Sequence, residues 1–512
     1  GYRVTTLLEK GKAYKGNLKQ KHSVRRFPEL SINAFGRWVS SHQWFAGPDS
    51  TSSTNSMTES FNNDLNEAID THFPLKSVKL HPTDRPWMTS RIKQLILERQ
   101  RAFHSDKDGK WRELRTKVRD EIAARKSAFY SEKVGHLKNT DPRKWWSLVN
   151  KLSGKCSGTS VISYEVDGKV FSGIELADRL NDFFISVTSD IPALDFDTLP
   201  AFLPAPDELP TIRTSEVYKK LFSLSSYKAC GPDAIPNRIL KTFAFELADP
   251  LTHIFNCSLS SGVFPKVWKD AHISPIPKAL LISADSDLRP IALTACLSKV
   301  FEDFVVGMLI DDIKEHIDPN QFGSLKGRST TFCLLDMIHN WLSSLESPGT
   351  YLRVCFLDFS KAFDHIDHNI LVRKLLGMGT RPSIVRWVCS FLSQRRQAVK
   401  LDGVLSKWAP VHAGIPQGTK LGPILFLVMV NNLACRSPLK LNHWKYVDDV
   451  TISEVVPRST KSVLQTDLEN ITNWAKENSM NLNPKKCKEI SISFLSKDPD
   501  VPQLVIDGTP LE

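Results

Sequence analysis

The sequence predicts an α+β protein in which a basic helical extension precedes a larger unit of helices and strands. Two observations carry that expectation. From Arg91, apolar residues fall at helical spacing (Ile92, Leu95, Ile96, Phe103), break at Asp106 to Gly109, and resume at Trp111, Leu114, Val118 and Ile122. Such spacing predicts two amphipathic helices joined as a hairpin. From Ser215 onward, helical and strand patterns alternate to the end, and Tyr351-Leu-Arg-Val-Cys-Phe-Leu-Asp358 reads as a strand that ends in an acid.

The chain has 512 residues, enough for two to four domains. It is 41% hydrophobic and 24% charged, with Lys+Arg 67 against Asp+Glu 56 for a net charge of +11. That excess alone does not decide between a nucleic-acid partner and none. Nine cysteines stand singly, with no CxxC pair, which argues against a disulfide framework or structural zinc and fits a reducing, intracellular compartment. No apolar run reaches the ~18–20 residues of a membrane span. The first residue is Gly1 and the opening lacks the apolar core of a signal peptide, so the natural start is expected upstream.

Residues 1 to about 60 read as an irregular linker, with a Ser/Thr cluster from Asp49 to Ser56. The basic hairpin that follows has two readings, a solvated surface or a phosphate-gripping arm. Trp145 and Trp146 read as anchors. A short strand pattern lies near Val161 to Val170, and Pro200, Pro204 and Pro210 mark a loop.

The chemistry-bearing residues are three acids. Asp358 closes the strand just named, and Tyr446-Val-Asp448-Asp449-Val-Thr-Ile452 places two more between β-formers. Neighbouring strand residues point opposite ways, so only a turn lets both acids serve one site. Alone, such a pair is an ordinary exposed turn. Brought beside Asp358, three carboxylates are stable only with cations among them. Two Mg²⁺ ions, with Mn²⁺ as the alternative, suit oxygen ligands and phosphates and activate a 3′-hydroxyl. Between the acids, His412-Ala-Gly-Ile-Pro-Gln417-Gly418-Thr-Lys-Leu-Gly-Pro423 is a Gly/Pro-rich loop that leads into an apolar helix, Ile424 to Asn431.

Phe356-Leu-Asp-Phe-Ser-Lys-Ala-Phe-Asp-His-Ile-Asp-His368, Gly414-Ile-Pro-Gln-Gly-Thr-Lys-Leu-Gly-Pro-Ile-Leu-Phe426 and Tyr446-Val-Asp-Asp449 resemble, in order and spacing, reverse transcriptases of non-LTR (LINE-type) retrotransposons. Lys228 to Lys241, Ile273 to Lys278, Leu288 to Leu293, Leu297 to Glu302 and Gln321 to Ser329 resemble further motifs of that family. The resemblance implies a right-hand polymerase fold. Its implied divisions are a linker at 1–60, a helical extension at 61–160, fingers and connections at 161–345, and a palm at 346–512, with the reverse transcriptase domain at about 260–512.

The resemblance also implies roles. Asp358, Asp448, Asp449 and the carbonyl of Phe359 hold metal. Phe363 excludes a ribose 2′-hydroxyl. Lys278 and Arg289 grip the triphosphate, Lys361 and Ala362 offer backbone N–H groups, and Gln417 and Gly418 line the nucleotide pocket. Lys486 protonates the leaving group, with Lys485 an open alternative. The implied substrates are template RNA, a DNA primer and dNTPs. The chain stops at Leu504 to Glu512, where the family enters a primer-gripping hairpin and thumb, and both are expected to be missing. Rival readings are an RNA-templated RNA polymerase and an idle RNA-binding remnant.

Overall fold

In the computed structural model, the described residues are 20–45, 53–80, 85, 87–105, 109–131, 145–146, 149, 163–166, 169–194, 211–226, 228–278, 282, 284–401, 403–437, 441–497, 499 and 501–512. Residues 49–52 of the Asp49–Ser56 cluster, residues 106–108 of the hairpin break and the Pro200–Pro210 loop lie outside them. The chain divides into two compact units, residues 1–34 with 69–159, and residues 35–68 with 160–512.

In the first unit, β1 (Gln20–Arg25) pairs antiparallel with β2 (Leu75–Leu80). The expected hairpin is present as helices Ser90–Ser105 and Lys110–Tyr130. Gly109 turns the chain into the second helix at φ +77, a conformation natural to glycine. Ile92 and Val118 are the buried side chains of the pair.

Helices Glu29–Ser41 and Thr54–His72 occupy part of the stretch read from sequence as an irregular linker at 1–60. Phe35 packs its ring 4.8 Å from Phe243, Thr54 meets Ser261 at 3.0 Å, and Asn66 donates to the Asp233 carbonyl. The apolar spacing of Ile32, Phe35 and Val39 was too short and too diluted by Ser, Asn and Gly to read as a helix.

After the small hairpin β3 (Ser163–Val166) and β4 (Lys169–Ser172) come two larger sheets. One has the order β10-β8-β5-β6, with β9 (Val404–Leu405) off β8. Its strands β5 (Ala271–Pro277) and β6 (Leu288–Leu293) are the strand motifs expected of fingers. Its other strands, β8 (Arg395–Leu401) and β10 (Ala409–Val411), come from beyond the Asp358 strand, and β8 runs parallel to β5. The sheet therefore draws on both sides of the 345/346 division implied by the motifs.

The other sheet is antiparallel, in the order β11-β12-β7-β13, from β7 (Thr350–Leu357), β11 (Leu441–Tyr446), β12 (Asp449–Pro457) and β13 (Lys488–Ser493). Helix Gly422–Val430 is apolar on every side and almost wholly buried, as expected of a helix enclosed by its own domain. Phe255, Phe264, Phe301, Trp387 and Phe391 form an aromatic core, with Phe255 and Phe301 stacked at 4.4 Å. Burying each such ring stabilises the fold by about 1.5–3 kcal/mol.

Two local differences bear on the site. Residues 360–365 form turns rather than the start of a helix. Lys361 sits at φ +49, and the helix begins only at His368, where the Asp367 side chain accepts from the N–H groups of Asn369 and Ile370. Secondly, a hairpin does close the C-terminal segment. β14 (Val505–Ile506) and β15 (Thr509–Pro510) flank Asp507-Gly508, both at positive φ, the turn that suits strand twist.

Candidate active site

The two acid-bearing strands are neighbours. β12 pairs with β7 so that Val450 faces Leu357. One step further along that register, Asp449 stands opposite Asp358. Val447-Asp448 is the two-residue turn between β11 and β12, so the turn lets both acids reach one end of the sheet, as the sequence required.

That turn is strained. Val447 holds φ +61, rare for a β-branched residue and a cost of about 1–3 kcal/mol. Gln321 braces it, its Oε1 accepting from the N–H groups of Val447 (3.1 Å) and Gly323 (2.8 Å). A Cβ on Gly323 would sit 2.5 Å from the Val447 nitrogen. Below the turn, buried Lys445 donates to the carbonyls of Val430, Asn431 and Leu433 and pairs with Asp318 at 2.5 Å. Burial opposes the Asp318 charge, but the His443 hydrogen bond and Lys445 outweigh it and hold this carboxyl well below the usual range.

On the other side of Asp358, the 481–487 segment runs antiparallel. Asn483 N–H donates to the Asp358 carbonyl and Ser360 N–H to the Asn481 carbonyl, both at 2.8 Å. Phe359 and Leu482 face each other between these bonds, so the Phe359 carbonyl points away from the 482 strand. Lys486 Nζ lies 3.3 Å from Asp358 Oδ2. Lys485 is exposed and forms no ion pair with a described carboxylate.

Burial raises the pKa of Asp448, and the Asp358 charge raises it further. Burial also raises Asp449, with Asp448 and Asp358 adding to it. The like charges therefore feel one another across the sheet end. Among the described residues, no three His, Cys, Asp or Glu side chains converge as a ready metal cage. Lys486 supplies a counter-charge to Asp358. The donor set nonetheless fits a hard cation: Asp358 Oδ2, shielded from solvent, meets the Lys486 ammonium at 3.3 Å but accepts no hydrogen bond among the described residues, and the remaining donors are oxygens.

The cationic residues converge on the same place. Burial lowers the Lys278 pKa, and Lys486, Arg289 and Lys361 add to the shift. Lys278 Nζ rests on the Ser286 carbonyl at 2.8 Å, and Arg289 is exposed on β6. The N–H groups of Lys361 and Ala362 donate to no described acceptor. Phe363 is half-buried and stacks on Phe426 at 4.6 Å. Its ring thus leans on the apolar helix from a turn, not from the following helix.

The Gly/Pro loop is held closely. Gly418 (φ +118) lies against β6, where a Cβ would sit 2.7 Å from the Ala292 carbonyl. Gln417 accepts from Ala292 N–H through its carbonyl and donates its Nε2 to Asp364 Oδ1 at 3.0 Å. Burial raises the Asp364 pKa.

Sequence reasoning gave no role to Asp364, Glu302, His368 or Gln321. Glu302 is fully buried and accepts from Ser298 Oγ and from the N–H groups of Lys420 and Leu421. His368 bonds the Gly414 carbonyl at 2.7 Å. All four stand inside motifs already quoted, but nothing in one sequence names their distant partners.

The signature of the reverse transcriptase (RNA-dependent DNA polymerase) family matches residues 276–498, so this site belongs to a reverse transcriptase domain. Within that class, the chain is similar to RNA-directed DNA polymerases of non-LTR retrotransposons, as the motifs implied. The RNA-directed DNA polymerase from mobile element jockey of Drosophila melanogaster is 30% identical over 312 residues, 59% of this chain and 34% of that protein. The probable RNA-directed DNA polymerase from transposon BS is 25% identical over 78% of this chain and 46% of its own length. That from transposon X-element is 24% identical over 85% and 50%. The chain thus spans half or less of these relatives. A telomerase from Candida Tropicalis overlays 50% of the chain and 52% of its own with a TM-score of 0.34 and 13% identity, too remote to inform the site. No described helix is long and apolar enough to cross a membrane.

Proposed function

We propose that this chain is an RNA-directed DNA polymerase that adds dNTPs to a DNA primer on an RNA template. The observation that carries the reading is the β12–β7 register, which puts Asp449 opposite Asp358 with Asp448 in the adjoining turn. Asp358, Asp448, Asp449 and the Phe359 carbonyl would hold two Mg²⁺ ions, which when bound supply Lewis acidity to the 3′-hydroxyl and neutralise the leaving pyrophosphate.

The chain's own residues do the rest. Lys278 and Arg289 grip the triphosphate, a point charge and a planar fork suited to phosphate. The N–H groups of Lys361 and Ala362 donate to the same phosphates. Gln417, oriented by Asp364, and Gly418 line the sugar and base side. The primer 3′-hydroxyl loses its proton to solvent as its oxygen bonds the α-phosphorus, the bond to the bridging oxygen breaks, and Lys486 gives a proton to the departing pyrophosphate and regains one from solvent.

Primer extension with dNTPs against NTPs, on an RNA template with and without Mg²⁺, tests the reading. Metal-dependent dNTP addition supports it, NTP preference favours an RNA polymerase, and extension no greater than by Asp448→Ala leaves an RNA-binding remnant.

Two side chains give sharper tests. Phe363→Val is expected to raise NTP use relative to dNTP by roughly 10- to 200-fold, the worth of a ~1–3 kcal/mol steric difference. An unchanged ratio removes Phe363 as the gate and leaves it only its packing on Phe426. Lys486→Ala is expected to slow the chemical step by about 10²–10⁴-fold, as for loss of a general acid. Lys485→Ala should extend at nearly the parent rate, and equal defects in the two variants would argue that neither lysine acts as the acid.

A further inference from the structure

The tip of the helical hairpin in the first unit carries a second nucleic-acid feature. Residues 90–130 hold twelve Lys and Arg against six Asp and Glu, an excess of six within a chain whose net charge is +11. Some of these cations are paired: Arg91 and Arg125 with Glu121, Arg119 with Asp120, and Lys117 with Glu113 in the first turn of the second helix. Arg99, Arg101, Lys110, Arg112 and Arg115, nearer the tip, form no ion pair with a described carboxylate.

Aromatic rings stand among these cations. Phe103 is 63% exposed, far more than packing would leave a phenylalanine that anchors a hairpin. It meets Trp111 edge-on at 5.6 Å and His104 at 5.8 Å, and the Arg112 guanidinium lies 5.6 Å over the Trp111 ring. Arg99, Gln100, Phe103, His104, Trp111 and Arg115 enclose a cleft of about 280 Å³. Exposed rings flanked by unneutralised arginines are what an unstacked base and its phosphates require. A duplex hides its base faces, and an apolar partner would leave the arginines unmet.

We propose that this tip binds unpaired RNA, a base stacking on exposed Phe103 beside Trp111 while Arg99 and Arg115 meet the flanking phosphates. The choice of RNA rests on the polymerase reading above, and the site itself does not. It lies outside the reverse transcriptase signature at 276–498.

The test uses the full chain, a labelled single-stranded RNA, anisotropy, and ultraviolet cross-linking mapped to peptides. Phe103→Ala is expected to weaken binding by roughly 5- to 100-fold, the range for one stacked base, and to abolish cross-linking at residues 99–115. Phe103→Tyr, which keeps a stacking ring, should restore both. Arg99→Ala with Arg115→Ala should flatten the salt dependence by about 1.4, at ~0.7 per single-strand phosphate. Arg119→Ala, already ion-paired, should bind as the parent does.

Circular dichroism should match throughout, because Phe103 is exposed. Phe103→Ala should still extend a short pre-annealed primer-template, and Asp448→Asn should keep the tip cross-link, so failure of either proposal is seen separately. Parent-like affinity and cross-linking in Phe103→Ala overturns the site. Equal competition by double-stranded DNA overturns recognition of unpaired bases, and equal binding of single-stranded DNA of the same sequence overturns the choice of RNA.

Discussion

Asp448→Asn is expected to lower Mg²⁺-dependent primer extension about a thousandfold while leaving the chain folded. Asn keeps the shape of the side chain at the β11–β12 turn but removes its charge. Losing one ligand that organises a Lewis-acid site is worth several kcal/mol, and each 1.36 kcal/mol is tenfold in rate. Single-turnover extension measures it, and a variant retaining a tenth of the parent rate would sink the assignment.

Stability gives an independent signature. The Asp448 pKa is raised in the fold by burial and by Asp358, so between the unfolded value near 3.9 and the raised value the native state binds more protons than the unfolded chain. In metal-free buffer this group therefore costs stability as pH rises through that window. Asp448→Asn removes its share and should be at least as stable as the parent at pH 8. Added Mg²⁺ should stabilise the parent by mass action and the variant less.

The largest loss of stability is expected at Arg353, far from any reacting atom. Only 1% exposed, it donates Nε and Nη2 to Glu489 Oε1 at 2.8 and 2.6 Å, Nη1 to Ser462 Oγ at 3.0 Å, and Nη2 to the Pro502 carbonyl at 2.8 Å. Ser462 passes the network to buried Glu454, which also accepts from the N–H groups of Val463 and Leu464. One guanidinium thus ties β7 to β13, to the approach of the next helix, and to the segment leading into β14.

Arg353→Ala leaves Glu489 without its cation and Ser462 without its donor, and should cost about 3–5 kcal/mol, a large part of the ~5–15 kcal/mol that holds a typical domain. Urea unfolding of the second unit measures the loss, and hydrogen exchange should rise first at residues 503–511. Arg353→Met combined with Glu489→Leu should recover part of it, because an apolar pair needs no counter-charge. A loss below about 1 kcal/mol for Arg353→Ala would mean that the network contributes little.

Strands and helices with strong periodicity were legible, and so were the candidate residues that the fold brings to one end of the sheet. The acids at 358, 448 and 449 and the lysine at 486 all stand in motifs. Boundaries failed where a single residue overrode its neighbours. Lys361 in the left-handed region delays the helix after Asp358 to His368. Val447, a β-former that reads as strand, makes the turn instead, because Gly323 leaves it room and Gln321 takes its N–H.

By itself the sequence supplied the candidate residues for the proposed chemistry and their order, because motif residues are local and their types suit phosphate and metal. Only the tertiary structure decided how they are held. The insertion of β8 and β10 beside β5, the burial of Glu302 beneath the Gly/Pro loop, the Gln417–Asp364 bond and the choice of Lys486 over Lys485 as the partner of Asp358 all join residues far apart in the chain. Such pairings depend on distance and burial in the folded state, and no spacing along the chain encodes them.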